Sequence, residues 1–318
     1  MHQGATFRGK EREFGRAILL ALLLTMLACT GAACDRGAST SNPATGETPA
    51  AEVKLIFAFQ PQENPEGLEL DAKRFAAFIA EKTGYKTEIF LPTSYAAVVE
   101  ALRSGNADVA YFSGWPYLVA HEKANAELLV VEERQGQPFY YSQWFALADS
   151  SIHTLADLKG RNVAFTSPTS TSGYLFPLAK VIDEGHLPVG GDSRQFFAEV
   201  LYAGGYQQAL LALVNGKVEA AAASDYAFKQ YLTEEQQALI RVVSTQGPVP
   251  THGLAIRGDL PAEIKSKVRA ALLELNEPEH KALLKSVYGA EKLVERTHDE
   301  HVGALDKARK SVGVDYPL

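Results

Sequence analysis

The sequence predicts an α/β protein of two lobes, each a mixed, mainly parallel sheet flanked by helices, joined by a hinge of two chain crossings. Three observations predict it. Short apolar runs alternate with longer amphipathic segments between residues 53 and 112, the same rhythm restarts after Leu155, and residues 52–318 are enough chain for two cores.

Residues 53–59 form an apolar run ending at Gln60-Pro61, hence a strand, and 70–83 carry Leu70, Phe75, Phe78 and Ile79 at helical spacing. Residues 87–91 are the second strand. Ser94 or Thr93 caps a helix running to about Ser104, Gly105 or Asn106 closes it, and 107–112 is the third strand. The runs at 128–133 and 140–148 lie close together, as expected of antiparallel segments that leave one lobe and enter the other. Beyond Leu155, strands are expected near Val163, Val200 and Ala220. Helices are expected after Ser172 (over 173–184), after Tyr206 and over 226–232, with 233–237 a capped turn. Residues 240–243 lead back and 249–256 return to the first lobe, on which 261–284 and 291–312 pack as amphipathic helices. The first lobe is thus expected over 52–142 and 248–318, the second over 143–247.

Residues 1–28 pair a basic start (Arg8, Lys10, Arg12, Arg16) with an apolar run at 17–24, which reads as a secretory signal too short for a stable membrane span. Small and apolar residues before Cys29 resemble a lipobox, so Cys29 is the favoured lipidation site and Cys34 the alternative. These are the only cysteines, which excludes a disulfide framework, thiol nucleophile or thiolate metal site from the folded part. Residues 35–51, rich in Ser, Thr, Pro, Gly and Ala, suit a tether after the anchor. The chain carries −7, and losing the +2 leader takes it to −9, which argues against nucleic acid as a partner.

Residues 169–177 (TSTSGYLFP) set three consecutive hydroxyls, Ser170, Thr171 and Ser172, and Gly173 where a strand gives way to a helix. A helix N-terminus presents unpaired N–H groups and the positive end of the helix dipole, so with these hydroxyls it can hold an oxyanion without a positive side chain. One of the hydroxyls would equally serve as an ordinary N-cap. His298 and His301 share a helix face but lack a third ligand, so no metal site is assigned. No nucleophile elbow, phosphate loop or dinucleotide fingerprint is present, so no enzyme and no cofactor are expected.

With those residues in view, the chain resembles the PhnD-like family of phosphonate, phosphite and phosphate binding proteins of ABC importers. The likeness rests on 92–102 (PTSYAAVVEAL), 104–110 (SGNADVA), 170–174 (STSGY), 214–220 (VNGKVEA), 260–264 (LPAEI) and 287–289 (VYG). It implies a type II periplasmic-binding-protein fold, a small phosphorus oxyanion as ligand, and an ABC permease and ATPase complex as partner. It also implies a monomer exported across the inner membrane and, with the lipobox, anchored at the periplasmic or cell surface. Tyr95 matches a cleft tyrosine of the family and Tyr141 a second; Ser170, Thr171 and Ser172 match its anion loop. Where family members often carry a histidine, this chain has Tyr206 as the replacement donor. Asp225 either accepts a P–OH proton or caps a helix, and His252 either donates to the ligand or serves only at the crossover. Gln60 and Trp115 are weaker candidates for the first lobe's rim. The alternatives are a receptor for a sulfonate or organic cation, and an anion sensor for a receptor kinase.

Overall fold

The computed structural model describes residues 53–61 and 65–314; the leader, Cys29, Cys34 and the tether lie outside the described residues. The first sheet begins as expected, with β1 (Lys54–Phe59), α1 (Pro65–Thr83), β2 (Lys86–Phe90), α2 (Tyr95–Arg103) and β3 (Val109–Phe112). Ser94 caps α2 by accepting from the Ala97 N–H at 3.2 Å, and Gly105 turns the chain at φ +75°. Next comes a helix with no counterpart in the sequence reading, α3 (Gly114–Ala124), ahead of β4 (Ala126–Glu133). Every residue from Gly114 to Ala120 is buried. These first two turns, covered on all sides, have no polar face and so show no amphipathic period.

The chain then crosses to β5 (Phe139–Leu147), β6 (Asn162–Phe165), a π turn (Thr171–Leu175) leading into α4 (Phe176–Asp183), and β7 (Glu199–Tyr202). It continues through α5 (Tyr206–Val214), β8 (Ala220–Ser224), α6 (Ala227–Tyr231), α7 (Glu234–Ala238) and the long β9 (Ile240–Pro250). Thr233 and Gln236 close a capping box on α7, the expected capped turn. After the second crossing come β10 (Gly253–Arg257), α8 (Ala262–Glu274), α9 (Lys281–Tyr288), β11 (Lys292–Val294) and α10 (His298–Val312). The helix expected over 261–284 is interrupted beyond Glu274, where Pro278 cannot continue the hydrogen-bond ladder. Residues 292–294, expected in a helix, instead pair antiparallel with the edge of β4.

Two mixed sheets result, with strand orders β11-β4-β10-β3-β1-β2 and β7-β6-β8-β5-β9. In the first, β1 is flanked by parallel β2 and β3; in the second, β6 is flanked by parallel β7 and β8. Each lobe therefore has a switch point where consecutive strands lie on opposite sides of the first, and ligands bind outside the carboxyl ends of strands at such points. Helix α10, expected on the first lobe, has its buried Val302, Leu305, Ala308 and Val312 in one apolar cluster with Leu178, Val181 and Ile182 of α4. Burying that face against α4 ties the C-terminus to the second lobe.

The two crossings brace each other. The Glu132 N–H donates to the His252 carbonyl (2.8 Å), and Thr251 Oγ1 donates to the Glu132 carbonyl (2.6 Å). Among the described residues no helix is long and apolar enough to cross a membrane.

Candidate functional site

The carboxyl ends of β1, β3, β6 and β8 carry Gln60, Ser113, the loop from Thr166, and Asp225-Tyr226. These four chain positions converge on the π turn. Ser170 is its N-cap, accepting from the Gly173 N–H at 3.0 Å, and the Leu175 N–H donates to the Ser170 carbonyl across the wide turn. Gly173 is required there by close approach: a Cβ would lie 2.0 Å from Thr166 Oγ1.

The other two hydroxyls reach further. Thr171 Oγ1 accepts from the Trp115 N–H of α3 at 2.8 Å, a hydrogen bond between the lobes. Two helix N-termini thereby face each other across one spot, and both dipoles favour negative charge at that spot. Ser172 Oγ accepts from the Tyr140 phenol at 3.1 Å and shares a 2.8 Å hydrogen bond with the Tyr206 phenol. Ser142 Oγ donates to the Ser172 carbonyl at 2.6 Å and accepts from Gln246 Nε2 at 2.7 Å, fixing the loop on β5 and β9.

From the first lobe, Tyr95 opens α2 and is wholly buried, with no hydrogen-bond partner for its hydroxyl. Burial holds its pKa well above the usual phenol range, Tyr206 adding to the effect and Ser170 opposing it, so Tyr95 stays a neutral donor. The His252 ring stacks between Tyr111 (centroids 5.2 Å apart) and Tyr140 (5.8 Å). Both its ring nitrogens are buried without partners. Burial first, then the Arg134 charge and His301, press its pKa well below the usual imidazole value, so the ring is neutral at pH 7.

One ion pair stands behind this wall. Arg134 Nε donates to Glu132 Oε2 at 2.9 Å, Tyr111 donates to Glu132 Oε1 at 2.6 Å, and the guanidinium lies 4.1 Å from the Tyr226 ring centroid. Arg134 belongs to the first crossing and Tyr226 to the second lobe, so this cation–π contact also spans the hinge. The pair carries no net charge, and the rest of the cradle is neutral hydroxyl, amide, indole and imidazole.

A profile of the family described as "ABC transporter, phosphonate, periplasmic substrate-binding protein" matches residues 57–301. The chain belongs to this family. The phosphate-import protein PhnD of Mycolicibacterium smegmatis is 34% identical over 221 residues, which cover 68% of this chain and 67% of that protein. The phosphonates-binding periplasmic protein of Escherichia coli is 24% identical over 241 residues, or 73% and 70% of the two chains. Among solved structures, a binding protein component of a Pseudomonas aeruginosa ABC phosphonate transporter superposes with a TM-score of 0.73 at 24% identity, covering 84% of this chain and 90% of that one. PhnD1 of Prochlorococcus marinus, in complex with methylphosphonate, gives 0.70 at 16% identity over 82% and 98%. At such identities the superpositions speak for the fold, the two-lobed type II architecture.

As a phosphonate-family binding protein the chain is the periplasmic substrate-binding component of an ABC transporter and not an enzyme. Its structure brings Tyr95, Ser170, Thr171, Ser172, Tyr206 and His252 together. It does not bring Tyr141. That ring is 40% exposed and packs edge-on against Phe139, while Tyr140, 4% exposed, reaches Ser172. Adjacent residues of a strand face opposite ways, and β5 buries Tyr140, Ser142 and Trp144 toward the π turn. Asp225 lies at the margin: its carboxylate accepts from the Tyr141 N–H of β5 at 3.2 Å, and burial raises its pKa. It is not the cap of α6, whose N-cap is Tyr226 with no side-chain cap hydrogen bond.

The sequence reading also passed over Tyr140, Ser142, Tyr226 and the Glu132–Arg134 pair. The pair gave no signal, because Glu132-Glu133-Arg134 reads as the solvated end of a strand. The Ser-Gly-Trp-Pro start of α3 did carry one, a capping residue with proline in the first turn.

Proposed function

We propose that this protein captures a small phosphorus oxyanion (phosphonate, phosphite or phosphate) between its lobes and delivers it to a membrane permease, while held at the membrane through Cys29, or failing that Cys34. The observation that carries the reading is the 2.8 Å hydrogen bond from the Trp115 N–H to Thr171 Oγ1, which sets the α3 N-terminus against the Ser170–Ser172 loop. In support of the ligand class, the M. smegmatis relative is a phosphate importer, and the P. marinus structure holds methylphosphonate.

The anion's oxygens take hydrogen bonds from Ser170, Thr171, Ser172 and nearby backbone N–H groups of the second lobe, and from Tyr95 of the first. Tyr206 and Tyr140 orient Ser172, and neutral His252 closes the hinge side without charge repulsion or attraction. An open cleft presents only one lobe's donors to the anion at a time, so binding favours the closed form by the difference. The protein acts as a monomer.

A thermal-shift panel tests this. At one hundred times the dissociation constant a ligand stabilises by about 2.7 kcal/mol, a rise of roughly 5 to 10 °C at this size. We expect that rise with at least one of phosphate, phosphite and methylphosphonate and none with taurine. A response to taurine or another sulfonate with silence for all three phosphorus anions would replace this reading with the sulfonate one.

A further inference from the structure

Gln60 is held in an orientation that leaves a donor, and no acceptor, free for a ligand. Its Oε1 accepts from the Ser113 N–H at 2.8 Å and from Ser113 Oγ at 3.2 Å. A backbone N–H can only donate, so the amide atom facing it is the oxygen, and the flip of the side chain is fixed by chemistry. The amide NH2 therefore faces the other way, and Gln60 Nε2 is buried without a partner. The indole of Trp115, two residues beyond Ser113, repeats the situation: its Nε1–H is buried and unpartnered, while its backbone N–H reaches Thr171 of the anion loop.

The start of α3 is built around this arrangement. A serine N-cap ordinarily accepts from N–H groups of the first turn. Here Ser113 makes no such bond and gives its hydroxyl to Gln60; Pro116 has no N–H, and the Trp115 N–H is taken across the cleft. Leaving a buried amide or indole donor without an acceptor is unfavourable, and a ligand oxygen would offset that cost.

We propose that Gln60 and Trp115 are the first lobe's donor-only half of the anion site, and that they select an oxygen carrying no proton. This rests on the oxyanion reading above and extends it to specificity. Hydroxyls of Tyr95, Ser170 and Ser172 can turn to donate or accept, but an amide NH2 and an indole N–H cannot accept at all. A P–OH oxygen accepts more weakly than an ionised one, and against these two donors its hydrogen must turn away and find an acceptor elsewhere. The carboxylates nearby already hold donors, Glu132 from Arg134 and Tyr111 and Asp225 from the β5 backbone. Ligands that present an ionised oxygen on this side are held more tightly than those that can present only an esterified or protonated one.

The test is calorimetry with inorganic phosphate, methylphosphonate and its monomethyl ester on wild type, Gln60→Glu and Trp115→Phe. Gln60→Glu keeps an acceptor for Ser113 and replaces the donor with a charged oxygen, so loss of the α3 start is not the cause of any effect. We expect at least a 100-fold loss of phosphate affinity for Gln60→Glu and a 5- to 20-fold loss for Trp115→Phe, which keeps the ring. Should Gln60→Glu fail to fold, the Trp115→Phe result decides alone. Wild type binding phosphate with the variants within twofold of it overturns the donor assignment and leaves the oxyanion reading standing. Wild type binding none of these probes overturns both.

Discussion

Replacing Thr171 by valine removes a hydroxyl at nearly constant shape, and the consequence differs between the open and the closed molecule. In the closed form Thr171 Oγ1 is the acceptor for the Trp115 N–H at 2.8 Å, and both residues are buried. Valine leaves that N–H shut away from water with nothing to donate to, a cost of about 1 to 3 kcal/mol. In the open form water serves the same N–H and the cost vanishes. The penalty therefore falls on closure, and a closure penalty passes directly into ligand affinity. At about 1.4 kcal/mol per tenfold, affinity should drop roughly 5- to 150-fold, and loss of the hydroxyl's own donation to a charged oxygen pushes it to the upper end. Thr171→Ser keeps the oxygen and should bind almost as wild type. Calorimetry with phosphate measures the affinities, and small-angle scattering with and without phosphate measures the compaction. If Thr171→Val and Thr171→Ser bind within twofold of each other, the hydrogen bond between the lobes does not contribute to capture and the reasoning fails.

Three further outcomes follow. Gly173→Ala forces a Cβ to within 2.0 Å of Thr166 Oγ1 and 2.4 Å of its Cβ; overpacking of this kind costs about 1 to 3 kcal/mol, so the melting temperature should fall by several degrees and the phosphate response should vanish, and an unchanged melt with intact binding would show that the loop tolerates a different course. Burial first, then His298 and Arg296, hold the His301 pKa down to about 3, so the unfolded chain protonates below about 6.5 while the folded chain does not. The stability held at neutral pH is then lost as pH falls through 6.5, at about 1.4 kcal/mol per pH unit, or about 2 kcal/mol by pH 5; His301→Phe should flatten the pH dependence of urea unfolding by that amount, and parallel curves would contradict it. Cys29→Ser should release the protein from the membrane fraction and abolish a lipid mass on its N-terminal peptide, whereas retention of both would move the anchor to Cys34.

Much of the fold was legible because local pattern and tertiary role agree. The strands at 54–59, 109–112 and 162–165 are largely apolar runs bounded by turns, and the capping residues Ser94, Thr233 and Ser170 stand where their side chains accept. What failed did so where tertiary contact decides. The first two turns of α3, Gly114–Ala120, are buried on every side, and β11 exists only because β4 offers an edge. Helix α10 has an apolar stripe that would suit either lobe, and only packing on α4 assigns it. The site shows the same division. The hydroxyl loop is continuous in sequence and was readable, whereas the choice between Tyr140 and Tyr141 depends on strand register, and one residue of slip exchanges the faces.

Under the proposed function, the neutrality of the cradle explains how an acidic chain would serve an anion. With net charge −7, long-range attraction for a phosphate is absent, and the one buried cation at the site is matched by Glu132. Favourable energy must then come from short-range donors: hydroxyls, amides, an indole and two helix ends. Such groups act only at contact, and they are divided between the lobes. On that reading an anion in the open cleft would meet too few to offset its own dehydration, while one in the closed cleft would meet all of them, so capture and closure would be one event. A positively charged pocket would hold anions in either state and blur that coupling, so under the proposed function the absence of a free lysine or arginine among the named site residues would leave the closed form as the one that signals an occupied site to a permease.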